Sequence, residues 1–277
     1  MNTNHIAILG SGSMGCAILS GLLASGFDAA SVSVSTKSQA STEKHRDEYG
    51  VTAFSLEHHE DANSLAVANA DVVLVAVKPA YVLEVLGQVA ANIKPGALVI
   101  SVAAGITCAA MEGVLPESVG VIRSMPNTPA IVGRAVTGLA RGSRSTGDQL
   151  QTAIGLFETV GKVLVVEESQ IDALSTVSGS GPAYVFYLIE QFTEAARGLG
   201  FTDEQAKVMV QETFLGASEL LAVSGKTPEE LRKQVTSPNG TTMRAVAVLE
   251  SANLSATFEK ATAAALARAK EIAEGNL

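Results

Sequence analysis

Residues 5–15 read HIAILGSGSMG, and this stretch decides the fold of the first half of the chain. The apolar run at 6–9 has the length of a buried strand, and the pattern Gly-x-Gly-x-x-Gly follows it at Gly10, Gly12 and Gly15. A helical pattern then continues to residue 25. Gly10 permits a tight turn, Gly12 lets a pyrophosphate approach the backbone, and Gly15 lets the helix lie close to the strand. The stretch therefore predicts the opening of a Rossmann dinucleotide-binding domain.

The predicted turn also supplies the groups that would hold the cofactor phosphates. The first N–H groups of a helix have no partner within the helix, and the helix dipole places positive charge at the same end. From this turn we predict the following cofactor-binding residues: Gly10, Ser11, Gly12, Ser13, Met14 and Gly15.

Short runs rich in Val and Ile recur through the first half and alternate with helical stretches. Further strands are predicted at 31–35, 51–53, 71–77, 97–102 and 119–123, with a last pair at 135–140 and 161–166. Helices are predicted at 13–25, 39–49, 56–69, 80–92, 107–114 and 147–160. Near-continuous apolar strands separated by helices predict a parallel sheet covered on both faces, and the last pair is expected to extend its edge.

Past Glu167 the strand signal stops. Helices are predicted at 170–177, 182–199, 203–224, 228–234, 241–251 and 254–274. The fold class is therefore α/β, with a Rossmann domain at 1–164 followed by an all-α domain at 165–277. The last helices are rich in alanine, which suits a tightly packed bundle or a subunit interface, and we expect this half to form oligomers.

Composition and charge exclude several classes of function. A net charge of −9 argues against nucleic-acid binding, and no run of about 18 apolar residues, the length of a membrane span, is present. The first residues lack the pattern of a signal peptide, and Cys16 and Cys108 form no CxxC motif, so we expect reduced thiols in a cytoplasmic protein.

Nothing in the sequence has metal-ligand spacing or the pattern of a Ser/His/Asp set, so no metal is predicted. His5 is expected to begin the first strand. The other histidines, His45, His58 and His59, lie among polar residues of predicted helices, where we expect them to be solvated.

The end of the second predicted strand bears on the choice of cofactor. NAD enzymes usually place Asp or Glu there to bind the ribose 2′-hydroxyl. This chain instead has Ser35, Thr36 and Lys37, whose hydroxyls and ammonium suit a 2′-phosphate. We therefore favour NADPH, with NADH as a possible alternative. A plain solvated loop is the competing interpretation.

Three more loops follow predicted strands at the edge where open α/β sheets bind ligands. Small residues in the first two leave room for ribose and nicotinamide, although Lys78 could equally be a solvated surface lysine. The third, 125–129, holds Asn127 between two prolines in a rigid loop that should present polar side chains. The cofactor-binding residues predicted in these loops are Ala76, Val77, Lys78, Pro79, Ala103, Ala104, Gly105 and Asn127.

Two segments of the helical half have unusual composition. Residues 178–184 read SGSGPAY and residues 236–242 read TSPNGTT, and each leads into a predicted helix. Hydroxyls and free N–H groups at a helix N-terminus form a ready site for a carboxylate, although simple N-capping is the alternative for either segment alone.

Together these motifs resemble the 1-pyrroline-5-carboxylate reductase family, in order and over essentially the whole chain. They comprise GSGSMG at 10–15, VKP at 77–79, SVAAG at 101–105, MPNTP at 125–129, and the segments at 178–184 and 236–242. The segment 236–242, followed by Leu249-Glu250-Ser251, is the most specific. The family usually has a second glycine where this chain has Asn239, and Asn tolerates left-handed backbone geometry better than most residues.

The resemblance implies reduction of the C=N bond of 1-pyrroline-5-carboxylate to L-proline with a hydride from NADPH or NADH. It implies that Thr242 hydrogen-bonds the ring nitrogen and that backbone N–H groups hold the substrate carboxylate. It also implies a homodimer built by the helical half, with rings of dimers as a larger assembly. The implied substrate-binding residues are Ser237, Asn239, Gly240, Thr241 and Thr242.

Three other functions fit parts of the pattern. A β-hydroxyacid dehydrogenase shares the domain plan, but its catalytic Lys and Asn, counted from Gly179, would fall on Val185 and Ile189, which are apolar. A deazaflavin-dependent reductase shares a weak likeness in the phosphate loop. A dinucleotide-binding sensor would need the cofactor loop but not the segment 236–242.

Overall fold

The computed structural model describes residues 5–273. Residues 1–4 and 274–277 lie outside this range. They include the start of the predicted first domain, the end of the predicted second domain and the last residue of the helix predicted at 254–274. The chain divides into two compact units, one formed by Met1–Ser180 with Ala265–Leu277 and the other by Gly181–Ala264. The domain boundary between 164 and 165 stays a prediction.

Within the described range, the first unit contains one eight-stranded sheet with the order β3-β2-β1-β4-β5-β6-β7-β8. The strands are β1 Ile6–Leu9, β2 Val32–Thr36, β3 Thr52–Ser55, β4 Val72–Val75, β5 Leu98–Ser101, β6 Gly120–Met125, β7 Ala135–Arg141 and β8 Gly161–Val165. This confirms the predicted Rossmann sheet and its extension by the last pair.

All neighbouring strands are parallel except β6 and β7. Between these two lies only a 3-10 turn, Thr128–Val132, which ends at Gly133 in the left-handed region. A parallel pair needs a crossover of about a dozen residues or more, so this short turn forces an antiparallel return.

Helices cover both faces of the sheet. They are α1 Ser13–Ala24, α2 Gln39–Tyr49, α3 Ala62–Val67, α4 Val82–Val89, α5 Cys108–Val114, α6 Gly147–Glu158 and the short α7 Ile171–Leu174. Along β1 the side chains alternate, so Ile6 and Ile8 join the core that includes α1 and α6, while Ala7 and Leu9 join the core that includes α3, α4 and α5. Apolar burial on both faces holds these layers together.

Three predicted helices of the first unit are shorter or more broken than expected. The helix predicted at 56–69 forms only as α3, because the N–H groups of His58 and His59 both donate to the Ser55 carbonyl and make a turn. The helix predicted at 80–92 divides into α4 with a 3-10 turn on either side. The helix predicted at 170–177 ends as α7 and passes into a π-helical turn, Ser175–Gly179.

The second unit is all helical, as predicted. It contains α8 Gly181–Gly198, α9 Asp203–Ser224, α10 Pro228–Gln234, α11 Thr241–Ser251 and the first part of α12 Leu254–Ala273. Capping boxes begin α9 at Thr202 and α10 at Thr227. Across residues 5–273, no helix combines the length and the apolar content needed to cross a membrane.

The second unit exposes many apolar side chains. Its small buried cluster is formed by Ala196, Ala206 and Val210 of α8 and α9. By contrast, Phe186 is 60% exposed and Val248 is 70% exposed. An apolar surface of this kind on a folded unit is typical of a protein interface.

Candidate functional site

The predicted cofactor loops meet at one edge of the sheet. In the strand register Leu9 lies opposite both Ser35 and Val75, and Val75 lies opposite Ser101. The carboxyl ends of β1, β2, β4 and β5 are therefore side by side. The chain reverses its direction of strand addition between β1 and β4, and such a switch point opens the crevice that binds nucleotides in this fold.

The glycine turn after β1 is shaped for a close approach of a ligand to the backbone. Gly10 has a φ of +90°, and a Cβ on Gly15 would lie 2.5 Å from the Gly10 carbonyl oxygen, so only glycine fits there. At Gly12 the same added atom would meet no protein atom within 4 Å. Gly12 therefore borders open space, and this cradle fits a pyrophosphate.

The start of α1 faces this turn with unpaired donors. Gly12 caps the helix without a side-chain hydrogen bond, and the N–H of Cys16 is bonded to the Gly12 carbonyl at 2.9 Å. The N–H groups of Ser13, Met14 and Gly15 precede the first helical hydrogen bond and have no helical acceptor. Three donors at the positive end of a 12-residue helix suit an anionic phosphate.

Two of the three residues predicted to bind the cofactor at the end of β2 are buried. Ser35 and Thr36 are buried, and the Thr36 hydroxyl lies 2.6 Å from the Thr42 hydroxyl. The Ser35 hydroxyl is also buried and has no hydrogen-bond partner among residues 5–273. Both hydroxyls are enclosed by the protein, and the cofactor contacts predicted for Ser35 and Thr36 stay a prediction. Lys37 is exposed at the first position beyond the strand.

The loops after β4 and β5 combine small buried residues with exposed ones. Ala76 and Val77 are half-buried, while Lys78 and Pro79 are exposed. After β5, Ala103 is buried and its N–H is bonded to the Ser101 hydroxyl at 3.2 Å. Beyond it, Ala104 is exposed and Gly105 is half-buried. Both loops lie at the carboxyl ends of neighbouring strands, and their contact with the cofactor stays a prediction.

Asn127 uses its side chain within the protein, and its contact with the cofactor stays a prediction. Its side chain is 8% exposed, donates from Nδ2 to the Ser178 carbonyl at 2.8 Å, and accepts at Oδ1 from the Val136 N–H at 2.9 Å. Both ends of the amide are therefore used within the protein. Asn127 therefore joins β7 to the π-helical turn at 175–179.

An ion cluster around a buried arginine, not predicted from the sequence, holds the neighbouring segment. The guanidinium of Arg123 on β6 is 3% exposed, forms an ion pair with Asp172 on α7, and lies 3.7 Å from a Glu168 carboxylate oxygen. The same Glu168 oxygen accepts the Cys108 N–H at 2.7 Å and so caps α5. A lone arginine within the apolar run of β6 was the available signal.

His45 is buried, contrary to the prediction that it is solvated. It is 3% exposed, its Nδ1 lies 2.6 Å from the Ser41 carbonyl, and its Nε2 lies 3.6 Å from Cys16 Sγ. Burial raises the pKa of the Cys16 thiol, which therefore stays protonated and donates to the Ser11 carbonyl at 3.1 Å. A polar contact thus joins α2 to the glycine turn.

The segment 236–242 forms a tight turn in the second unit. The Gly240 N–H donates to the Ser237 carbonyl at 3.0 Å, and Asn239 has a φ of +61°, the left-handed geometry that Asn tolerates. A Cβ on Gly240 would lie 2.4 Å from Ser237 Oγ. The turn therefore accepts Asn at 239, and a side chain at 240 would displace the Ser237 hydroxyl.

This turn presents an open helix N-terminus. Gly240 caps the 11-residue α11 without a side-chain hydrogen bond, and Thr241 and Thr242 are its first two residues. Both threonines are exposed, and the Thr242 hydroxyl makes no hydrogen bond to the described part of the chain. Free N–H groups beside a free hydroxyl can bind a carboxylate and one further polar atom.

Comparison with known proteins identifies the family. Over 270 residues the chain is 37% identical to the pyrroline-5-carboxylate reductase of Corynebacterium melassecola, covering 96% of this chain and 98% of that protein. It is 38% identical to the Pseudomonas aeruginosa reductase, covering 99% and 98%. The chain belongs to the pyrroline-5-carboxylate reductase family. Membership of this family decides against the β-hydroxyacid dehydrogenase alternative. It also makes the chain an oxidoreductase, which decides against the sensor alternative.

Family models and solved structures agree with membership of the pyrroline-5-carboxylate reductase family. The model for pyrroline-5-carboxylate reductase dimerisation matches 168–272, and one described as NADP oxidoreductase, coenzyme F420-dependent, matches 5–105. The structure of a Coxiella burnetii pyrroline-5-carboxylate reductase has a TM-score of 0.92 at 38% identity and covers 98% of each chain. A Plasmodium falciparum pyrroline carboxylate reductase solved with NADP bound has a TM-score of 0.82, covers 99% of each chain and, at 23% identity, shows the shared fold.

Among the residues that the structure describes, no group of three or more His, Cys, Asp or Glu side chains could hold a metal ion.

Proposed function

We propose that this chain reduces 1-pyrroline-5-carboxylate to L-proline with NADPH as the preferred hydride donor and NADH as a weaker alternative. A hydride adds to the carbon of the C=N bond, the π bond breaks, and the ring nitrogen keeps a proton as the amine forms. The observation that carries the proposal is the open N-terminus of α11 at Thr241 and Thr242 in a member of this family.

The first unit is proposed to hold the cofactor, which supplies the hydride when bound. The N–H groups of Ser13, Met14 and Gly15 bind the pyrophosphate, and the missing side chain of Gly12 leaves room for it. Lys37 provides a cation near a 2′-phosphate. The match of residues 5–105 to a family of NADP oxidoreductases supports this assignment.

The loops after β4 and β5 are proposed to line the rest of the cofactor. Ala76, Val77, Lys78 and Pro79 follow β4, and Ala103, Ala104 and Gly105 follow β5. Their position beside the switch point of the sheet supports this role.

The turn before α11 is proposed to hold the substrate. The N–H groups of Thr241 and Thr242 bind the carboxylate at the positive end of the helix, and Ser237, Asn239 and Gly240 set the shape of the turn. The Thr242 hydroxyl hydrogen-bonds the ring nitrogen. A protonated cyclic imine is already electrophilic, so orientation and one hydrogen bond suffice without a strong acid.

The apolar surface of the second unit is proposed to form a homodimer, and rings of dimers are proposed as the larger assembly. The match of 168–272 to a dimerisation model and the exposure of Phe186 and Val248 support the dimer. We also propose that the protein acts in the cytoplasm, which is supported by the unpaired thiols of Cys16 and Cys108.

A pair of substitutions at Thr242 tests the proposed chemistry. Thr242→Val keeps the shape but removes the hydroxyl, and we expect kcat to fall about tenfold or more, equivalent to about 1.4 kcal/mol. Thr242→Ser keeps the hydroxyl and should retain kcat within about threefold. The assay follows loss of nicotinamide absorbance at saturating imine. Parental kcat in Thr242→Val would overturn the assigned role.

A further inference from the structure

A carboxylate contributed from beyond β3 occupies the N-terminal end of α2. The side chain of Glu57, two residues past the end of β3, accepts a hydrogen bond from the backbone N–H of Gln39 at 2.8 Å, and Gln39 is the first residue of α2. Strand pairing fixes this placement. Thr36 lies opposite Ser55, and the Leu56 N–H donates to the Thr36 carbonyl at 2.9 Å.

The end of β2 decides which cofactor a Rossmann domain accepts. The 2′ position of the adenosine ribose lies there, where a carboxylate receives a 2′-hydroxyl and a cation accommodates a 2′-phosphate. Residues 35–38 contain Lys37 but no carboxylate. Glu57, which follows the neighbouring strand, places a negative charge near the end of β2. Its carboxylate is bonded to the N–H of Gln39, two positions after Lys37.

Lys37 and Glu57 therefore act in opposite directions on a 2′-phosphate. The carboxylate repels the phosphate within a Debye length, about 8 Å at physiological ionic strength. A 2′-phosphate that bound the Gln39 N–H would also have to displace Glu57 from it. A 2′-hydroxyl carries no charge and meets neither obstacle.

We propose that Glu57 is a specificity-determining residue that weakens the binding of 2′-phosphorylated cofactors and so limits the preference of this chain for NADPH over NADH. The proposal rests on the cofactor site assigned under the proposed function. In this fold the carboxylate that selects against the phosphate usually lies at the end of β2. The proposal assigns the same role to a side chain that follows β3.

Equilibrium binding without the imine tests the proposal. Dissociation constants for NADPH and NADH are measured by calorimetry for the parent, Glu57→Gln and Glu60→Gln. Glutamine at 57 can still accept the Gln39 N–H, so the fold is expected to survive. We expect Glu57→Gln to bind NADPH about tenfold more tightly and NADH within about twofold of the parent.

Glu60→Gln is the matched control, because Glu60 is an exposed carboxylate three residues further along the same turn. It should change the ratio of the two dissociation constants by less than about twofold. Adenosine 2′,5′-bisphosphate and 5′-AMP repeat the comparison without a nicotinamide and should show the same shift. The effect of Glu57→Gln should shrink near 1 M salt, where the Debye length is about 3 Å.

Three results would overturn the proposal. The first is an unchanged NADPH/NADH binding ratio in Glu57→Gln. The second is an equal shift in Glu60→Gln, which would mean that net charge alone is responsible. The third is equal weakening of both cofactors, which would make Glu57 a support of the loop only. Failure of the parent to reduce the imine, with the binding shift intact, would instead count against the proposed function.

Discussion

Replacing Gly12 by alanine should separate cofactor binding from folding. The backbone at Gly12 has a φ of −70°, which alanine adopts without strain, and a Cβ there would meet no protein atom within 4 Å. The added methyl therefore projects only into the space assigned to the pyrophosphate.

The magnitudes follow from this geometry. Alanine at a helix N-cap lowers the stability of the fold by about 1 kcal/mol relative to glycine. It also raises that stability by about 0.4–1 kcal/mol, because it reduces the conformational entropy of the unfolded chain. The net change in the free energy of unfolding should therefore be small. A methyl that displaces the pyrophosphate from one backbone donor removes a charge-assisted hydrogen bond of about 1.5–3 kcal/mol. That loss corresponds to roughly a tenfold to hundredfold rise in Kd for NADPH.

Two measurements on each variant test this reasoning, namely calorimetric Kd for NADPH and the free energy of unfolding in urea. Gly15→Ala is the contrasting variant, because its Cβ would lie 2.5 Å from the Gly10 carbonyl oxygen. We expect it to lose about 1–3 kcal/mol of stability through overpacking. The reasoning would be refuted if Gly12→Ala bound NADPH like the parent, or lost as much stability as Gly15→Ala.

Further predictions concern groups outside the two sites. Burial alone would raise the pKa of Asp71, but the His5 N–H and the Lys94 ammonium outweigh it and hold that pKa below its ordinary value. The carboxylate therefore stabilises the fold at neutral pH and this contribution is lost as the pH falls through the lowered value, so the deficit in Tm of Asp71→Asn should shrink on acidification. Asp172→Asn should lower the free energy of unfolding in urea by about 3 kcal/mol, because it removes an ionic partner of the buried Arg123. Replacing both Arg123 and Asp172 with apolar residues should restore most of that stability. Equal stability of the single and the double variant would contradict this prediction.

The parts of the fold that were predictable from sequence are those set by local patterns. The strand, glycine turn and helix at 5–15 need only hydrophobic periodicity and three glycines at fixed spacing. The left-handed φ of Asn239 also followed from its residue type. The helix at 241–251 was equally local, because the turn before it marks its start.

The parts that could not be predicted depend on contacts between distant residues. His45 has polar neighbours in sequence but is buried against Cys16, 29 residues away. The amide of Asn127 is held by Val136 and Ser178, which lie 9 and 51 residues away. The Glu57 carboxylate reaches α2 only because β2 and β3 pair in register. No pattern of hydrophobic periodicity in the sequence indicates any of these contacts.

The most direct test of the central claim is imine-dependent oxidation of NADPH by the purified protein. Nicotinamide absorbance is followed in three reactions, which contain 1-pyrroline-5-carboxylate, no substrate, or an acyclic keto acid in its place. L-Proline is assayed in the product. We predict rapid loss of absorbance that requires both protein and the cyclic imine, with one L-proline formed per NADPH consumed. Absence of turnover with both NADPH and NADH, in protein that still binds the cofactors, would contradict the account.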